Sequence, residues 1–223
     1  MMISILPIML PLLMPTRSDM DKKEIRSKYK KMRDELFNSP DHAKICKDIS
    51  DNITGSQIFK SSDILLVFLS FGSEFDTSYL IKSALLLDKK VFIPKVKGTD
   101  MIFYPYDEKA GFTVSSYGIR EPKESQNDLI SYIKAGKRKL NILNIAPALC
   151  ADKDFYRLGY GGGFYDRFLS DLLNMDLYDI SITSLVPIYS GFITEKLPHD
   201  DNDIKAEMIV TEKKGDIREL QRD

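Results

Sequence analysis

Between Arg157 and Asp166 the chain reads Arg-Leu-Gly-Tyr-Gly-Gly-Gly-Phe-Tyr-Asp, and these ten residues hold its densest grouping of chemically useful types. Gly159, Gly161, Gly162 and Gly163 leave the backbone free to take positive φ. Such a loop, set at the start of a helix, can turn several N–H groups toward anionic oxygens. Arg157 offers a bidentate clamp for an anion, and Asp166 a hard oxygen for Mg²⁺. The same two side chains can instead pair with each other and merely close the turn. Two common phosphate loops are excluded: a dinucleotide fingerprint starting at Gly159 needs a small residue where Phe164 stands, and no GxxxxGK[ST] occurs.

Outside this loop, Lys22 and Arg26 lie four apart and so share a helix face. Taken alone, they read as part of a solvated basic face with Lys23, Lys28, Lys30, Lys31 and Arg33. Glu74 follows a strand, and Asp203 lies in an acidic run with Asp200 and Asp201, each ordinary on a surface. His42 and His199 lack the partners of a triad or zinc site. Cys46 and Cys150 have no CxxC spacing and read as buried, reduced thiols.

These groups need a scaffold, and the hydrophobic pattern supplies one. Ile25, Tyr29, Met32 and Leu36 mark a helix over 21–37, and a second amphipathic segment runs from Pro40 to about Ile53. Residues 63–69 form a continuous apolar run, as in a strand covered on both faces. Thr77 is placed to cap the next helix, to Leu87, and 91–93 is the following strand; together these read as a βαβ unit. Residues 101–104 add a strand, 111–122 read as irregular, and 129–135 as a helix. Further strands fall at 140–149, interrupted by Pro147, and at 180–186 and 208–210. Phe164, Phe168, Leu169, Leu172 and Leu173 give the helix after the glycine loop its apolar face. The expected fold is α/β and three-layered, a mostly parallel sheet with helices on both faces.

With 43% hydrophobic residues, a net charge of −1 and 223 residues, the chain has enough apolar content for a core and no basic surplus for nucleic acid. Residues 1–15 are apolar but carry Pro7, Pro11 and Pro15, with no preceding basic residue. This suits neither a signal peptide nor a membrane span. The expectation is a leader over 1–19 that is disordered or upstream of the true start, one domain over 20–212, and a loosely held charged tail over 213–223.

The wording of the glycine loop resembles the signature of the 5-formyltetrahydrofolate cyclo-ligase family. Four more stretches agree in order: Lys22-Lys-Glu-Ile-Arg26, Ser70-Phe-Gly-Ser-Glu74-Phe-Asp-Thr77, Gly118-Ile-Arg-Glu-Pro122 and Leu197-Pro-His-Asp-Asp-Asn-Asp203. The sequence departs from the family at Ala148 and Phe155, where glycine is common, and at Ala151, where an aromatic is usual.

The resemblance implies an architecture like that of sugar isomerases and CoA transferases. It also implies a cytoplasmic monomer using ATP as co-substrate, Mg²⁺ and a reduced folate, without nucleic acid or membrane partners. By similarity Lys22, Lys23, Glu24, Ile25 and Arg26 bind ATP, with Arg157, Leu158, Gly159, Tyr160, Gly161, Gly162, Gly163, Phe164 and Tyr165. Leu69, Glu74 and residues 160–164 bind the folate, Asp166 and Asp203 hold the metal, and Arg157, Tyr165 and Asp166 are catalytic. Phe71 and Tyr165 either flank the pterin or pack in the core. A regulatory module without turnover, and a sugar-phosphate isomerase, are the rival expectations; the first binds ATP without product, the second needs no ATP.

Overall fold

A computed structural model describes residues 21–115, 118–136, 139–175, 177 and 180–221. The expectation for the leader lies outside these residues. Helix α1 (Lys22–Phe37) opens with Asp21, whose side chain accepts from the Lys23 N–H. It is followed by α2 (His42–Gly55) and α3 (Gln57–Ser61), the latter capped by the Ser56 hydroxyl. Next come β1 (Ile64–Val67), α4 (Ser78–Leu86), β2 (Lys90–Lys97) and β3 (Asp100–Pro105). After these lie β4 (Phe112–Val114), β5 (Arg120–Pro122), α5 (Leu129–Gly136), β6 (Leu140–Ile145), β7 (Cys150–Asp152) and β8 (Arg157–Leu158). The chain then forms α6 (Phe164–Asn174), β9 (Ile180–Pro187), β10 (Ile193–Thr194), β11 (Met208–Val210) and β12 (Ile217–Glu219).

Seven strands make the main sheet in the order β12-β11-β9-β6-β1-β2-β3. From β11 to β2 all pairings are parallel, and the antiparallel β12 and β3 close the two edges. Strand β1 shows why its run lacks alternation. Leu65 and Val67 join a core with Ile49, Ile53, Phe59, Leu80 and Ala84 on one face, whereas Ile64 and Leu66 join Leu129, Ile133 and Leu172 on the other. Helices therefore cover both faces, and the three-layer expectation holds.

Four local expectations need correction. The segment after Thr211 is not a loose tail, because β12 pairs with β11 from Met208↔Glu219 to Val210↔Ile217. Asn52 also holds it, donating to Thr211 O and Lys213 O. The stretch 111–122 contains a β4–β5 hairpin rather than irregular chain. Thr77 precedes α4 but makes no side-chain cap; its hydroxyl donates to Phe68 O at 2.7 Å and meets Ser70 Oγ, folding the loop after β1. Finally, the strand expected over 140–149 with a break at Pro147 ends earlier, at Ile145, and the next strand, β7, belongs to a separate three-stranded sheet with β8 and β10. No helix among the described residues is long and apolar enough to cross a membrane.

Candidate active site

The C-terminal ends of β1 and β6 feed the loops that carry the site, the usual place for ligands in an open parallel sheet. From β6 the chain passes through the β7–β8 hairpin into the glycine loop. Fully buried Asp152 anchors the hairpin, accepting from the Asp154, Tyr156 and Leu197 N–H groups. Phe155, standing where glycine is common, takes φ of 69°, so this path keeps a left-handed residue without a glycine.

In the loop itself Gly161 has φ of 100° and Gly163 has φ of 63°. The N–H groups of residues 160–163 donate no hydrogen bond among the described residues, and no side chain caps α6. Free donors at a helix N-terminus make a site for anionic oxygens. Beneath them, Arg26 Nε donates to Gly159 O at 2.9 Å. Its guanidinium lies so near Gly161 that a Cβ there would stand 3.3 Å from the guanidinium carbon. One turn earlier, Lys22 Nζ reaches Asp203 Oδ2 at 2.6 Å and Asp200 Oδ2 at 3.0 Å. Burial works against the Lys22 charge, but hydrogen bonds to Asp203 and Asp200 prevail and raise its pKa.

Arg26 is thus brought to the glycine loop and Lys22 to Asp203 and Asp200, so neither stands as a freely solvated charge on α1. Lys23 and Glu24 stay exposed, and Ile25 is buried in the core. Of the two readings of Arg157 and Asp166, the mutual pair is the one on view: Arg157 Nη2 donates to Asp166 Oδ1 at 2.9 Å, and Nη1 to Ile204 O at 2.7 Å. Asp166 Oδ1 also accepts from the Ile204 N–H, which draws the segment containing Asp203 alongside.

The carboxylates can be tested for a metal. Asp166 engages only Oδ1, and Asp203 only Oδ2, in hydrogen bonds among the described residues. No group of three or more metal-binding side chains occurs there. Two carboxylates with one uncommitted oxygen each fit Mg²⁺, which keeps waters and phosphate oxygens in its shell and arrives with a nucleotide.

On the other side of the loop, Glu74 Oε2 accepts from the Phe71 N–H at 3.0 Å, and Tyr160 Oη donates to Oε1 at 2.5 Å. Burial pushes the Glu74 carboxyl up; hydrogen bonds from Tyr160 and Phe71 and the Arg33 charge oppose this. Leu69 is buried in the core. Phe71 is exposed and lies against Gly118, where a Cβ would stand 3.4 Å from its ring, so the loop after β1 meets the end of the β4–β5 hairpin. Tyr165 packs edge-on to Phe103, and its buried hydroxyl has no partner among the described residues. Burial pushes that hydroxyl far above its usual range.

The sequence reading missed Arg33. It occupies the core side of α1 with Ile25 and Tyr29, and its guanidinium reaches both Ser73 and Tyr160. A cation at the third position of an apolar i, i+4, i+8 stripe is the signal that was there to find. The two histidines take no part in catalytic clusters. His199 stacks on Tyr156, and His42 lies beside Tyr189 and the buried Cys46. Cys150 is also free and buried, and burial pushes its thiol up to about 12.

The parallel sheet, the uncapped glycine loop and the Arg26 guanidinium against it define an α/β protein with free N–H donors gathered at the start of α6. The chain belongs to the 5-formyltetrahydrofolate cyclo-ligase family, whose model matches residues 18–212. It is 30% identical to the Escherichia coli K12 5-formyltetrahydrofolate cyclo-ligase over 151 residues, 66% of this chain and 77% of that one. The Haemophilus influenzae enzyme of the same name is 25% identical over 82% of this chain and 93% of its own. Among solved structures, Aquifex aeolicus 5,10-methenyltetrahydrofolate synthetase superposes with a TM-score of 0.68 at 26% identity, covering 91% and 94% of the two chains. The Mycoplasma pneumoniae synthetase shares the fold, with a TM-score of 0.61 at 18% identity over 87% of this chain and all of the other.

Proposed function

We propose that this enzyme converts 5-formyltetrahydrofolate to 5,10-methenyltetrahydrofolate, with ATP going to ADP and phosphate, in the cleft between α1, the glycine loop and the loop after β1. Family membership supports the overall conversion. The observation that carries the location is the pairing of Arg26 with Gly159 beneath a row of unpaired N–H groups.

The N-formyl oxygen is a poor leaving group. Transfer of the γ-phosphoryl group from ATP onto that oxygen releases ADP and gives an iminophosphate. The neighbouring folate nitrogen then attacks the formyl carbon and gives up its proton, and the C–O bond breaks as phosphate departs with that proton. Such a reaction needs positioning and charge neutralisation more than acid–base groups.

In this reading the N–H groups of residues 160–163 cradle the phosphates, with Lys22, Arg26 and Arg157 supplying positive charge. Asp166 and Asp203 would hold Mg²⁺, which when bound offsets phosphate charge. Lys23, Glu24 and Ile25 contribute to the nucleotide site through the helix backbone, together with Leu158, Phe164 and Tyr165. Glu74 accepts two hydrogen bonds from the amino-pyrimidine edge of the pterin. Leu69 and residues 160–164 complete the folate side. Tyr165, packed behind the loop on Phe103, completes the proposed catalytic set with Arg157 and Asp166. The proposal extends to a cytoplasmic monomer that binds neither nucleic acid nor membrane, and the balanced charge supports the nucleic-acid part.

The test is direct. Purified protein with 5-formyltetrahydrofolate, ATP and Mg²⁺ should produce the absorbance of the conjugated methenyl product, and chelation of the metal should abolish it. Product formed without ATP, or no product at all, overturns the reading. Sedimentation at working concentration should return a single 25.5 kDa species.

A further inference from the structure

We propose that Arg33 is a positioning residue of the ring-closing reaction, acting through the Tyr160 hydroxyl to hold Glu74 as the acceptor of the folate. The inference rests on the assignment of Glu74 to the pterin edge made above.

A buried guanidinium is costly unless its donors are used, and the usual solution is a carboxylate partner. Arg33 is only 6% exposed, yet among the described residues it makes no ion pair. Its partners are two neutral hydroxyls. Nη1 donates to Tyr160 Oη, and Nε donates to Ser73 Oγ at 3.1 Å. Its guanidinium carbon lies 5.3 Å from the centre of the Tyr160 ring. The Ser73 hydroxyl in turn donates a hydrogen bond to Asp34 Oδ1. One side chain on α1 therefore holds both the loop after β1 and the glycine loop.

The direction of these bonds carries the argument. Arg33 can only donate, so Tyr160 Oη accepts from it and turns its single proton toward Glu74. Glu74 then has one oxygen on the phenol and the other on the Phe71 N–H, which fixes the plane of the carboxylate. An amino-pyrimidine edge offers N–H donors, and a fixed, ionised carboxylate is its complement. The groups facing Glu74 are Arg33 from α1, Tyr160 from the glycine loop, Tyr165 from α6 and the Phe71 N–H of its own loop. Of these, Arg33, Tyr160 and Phe71 favour the anion against the upward push of burial. Tyr160 also belongs to the glycine loop, so the chain Arg33–Tyr160–Glu74 ties the nucleotide side to the folate side.

A double-mutant cycle separates this role from simple support of the fold. Arg33→Lys, Tyr160→Phe and the double variant are made in the full chain. Each is checked for folding by circular dichroism and assayed with 5-formyltetrahydrofolate at saturating ATP and Mg²⁺. Each single change should lower kcat/KM for the folate about tenfold, with apparent KM for ATP nearly unchanged. In the Tyr160→Phe background, Arg33→Lys should cost less than about twofold, because its route to Glu74 is already cut. The losses should be largest at mildly acidic pH and shrink as the medium becomes alkaline. Equal loss from Arg33→Lys in both backgrounds, or none in either, overturns the proposal. Should Arg33→Lys fail to fold, Tyr160→Phe alone decides: an acid-weighted loss confined to the folate supports the relay, and no loss or an equal loss for both substrates refutes it. Failure of the underlying assignment reads differently. Glu74→Gln would then leave folate kinetics untouched, and this proposal would fall with it.

Discussion

On the proposed nucleotide side the charged groups already have protein partners. Lys22 is on Asp203 and Asp200, Arg157 on Asp166, and Arg26 on a glycine carbonyl. On the proposed folate side Glu74 is held by a phenol and a backbone N–H, and among the described residues it makes no ion pair. On the proposed function, the first arrangement would exchange its ion pairs for phosphate and metal, whereas the second would be set before the ligand comes. The nucleotide half should therefore respond to charge removal with large kinetic effects and strong dependence on Mg²⁺. The folate half should respond to the loss of single hydrogen bonds and to pH.

The largest effect is expected at Asp166. Asp166→Asn keeps the size and can still accept from the Ile204 N–H, but removes the charge. We expect kcat to fall about 10²- to 10³-fold, with the protein still folded and the deficit persisting at saturating Mg²⁺. Steady-state kinetics across a metal titration check this, and unchanged values would remove Asp166 from the metal site. Lys22→Ala comes next. Losing a charge-assisted hydrogen bond to phosphate should raise the apparent KM for ATP about tenfold or more. The folate KM should move little, and equal movement of both would erase the distinction between the halves.

At Glu74 the effect should be smaller and should follow pH. A protonated carboxyl cannot accept two hydrogen bonds through both oxygens while carrying its own proton. Burial raises the Glu74 pKa, so folate binding should weaken as pH falls, beginning at a higher pH than for a free glutamate. Glu74→Gln should lower kcat/KM for the folate about tenfold and remove this acid limb. A pH profile of kcat/KM for both proteins is the measurement, and an acid limb that persists in Glu74→Gln belongs to another group. Within the loop, Gly161→Ala should weaken ATP binding about tenfold, since positive φ penalises an alanine by about 1–2 kcal/mol. Its methyl group would also press on the Arg26 guanidinium. Gly159→Ala, with open space at its Cβ, should be nearly silent in the same ATP titration.

How much of this was legible in the sequence follows from the range of the signals. The glycine loop announced itself because its conformational demand is local: positive φ at 161 and 163 needs glycine wherever the loop goes. Strand β1 was equally plain, since burial on two faces leaves an unbroken apolar run. The partners of each site residue were not plain. That Lys22 meets Asp203, and Arg26 meets Gly159, depends on α1 lying across loops more than 130 residues away. Arg33 was hidden by its type, because a charged residue on a basic helix reads as solvated until the fold buries it. Strand β12 was hidden by its charges, being an edge that satisfies one ladder and faces water beyond. Thr77 was misread because its backbone is already helical, at φ −88° and ψ −4°, whereas a capping residue is extended; its hydroxyl turns to Phe68 O and Ser70 Oγ instead.

The smallest predicted effect tests the hairpin that feeds the nucleotide side. Phe155 holds φ of 69°, which costs a non-glycine residue about 1–2 kcal/mol. Phe155→Gly removes that strain. It also loosens the unfolded chain, which offsets up to about 1 kcal/mol. The ring is partly buried against the core, so its loss removes a fraction of the 1.5–3 kcal/mol of a fully buried Phe side chain. These contributions nearly cancel, and the thermal midpoint should move by no more than about 5 °C. The backbone bonds of the turn, Phe155 N–H to Asp152 O and Ala206 N–H to Phe155 O, need no side chain and should survive. Kinetics with both substrates should then match the unaltered enzyme. A fall in kcat with the fold intact would mean that the ring, and not just the backbone path, sets the position of the glycine loop. The nucleotide half would then depend on a packed hydrophobic support as well as on its ion pairs.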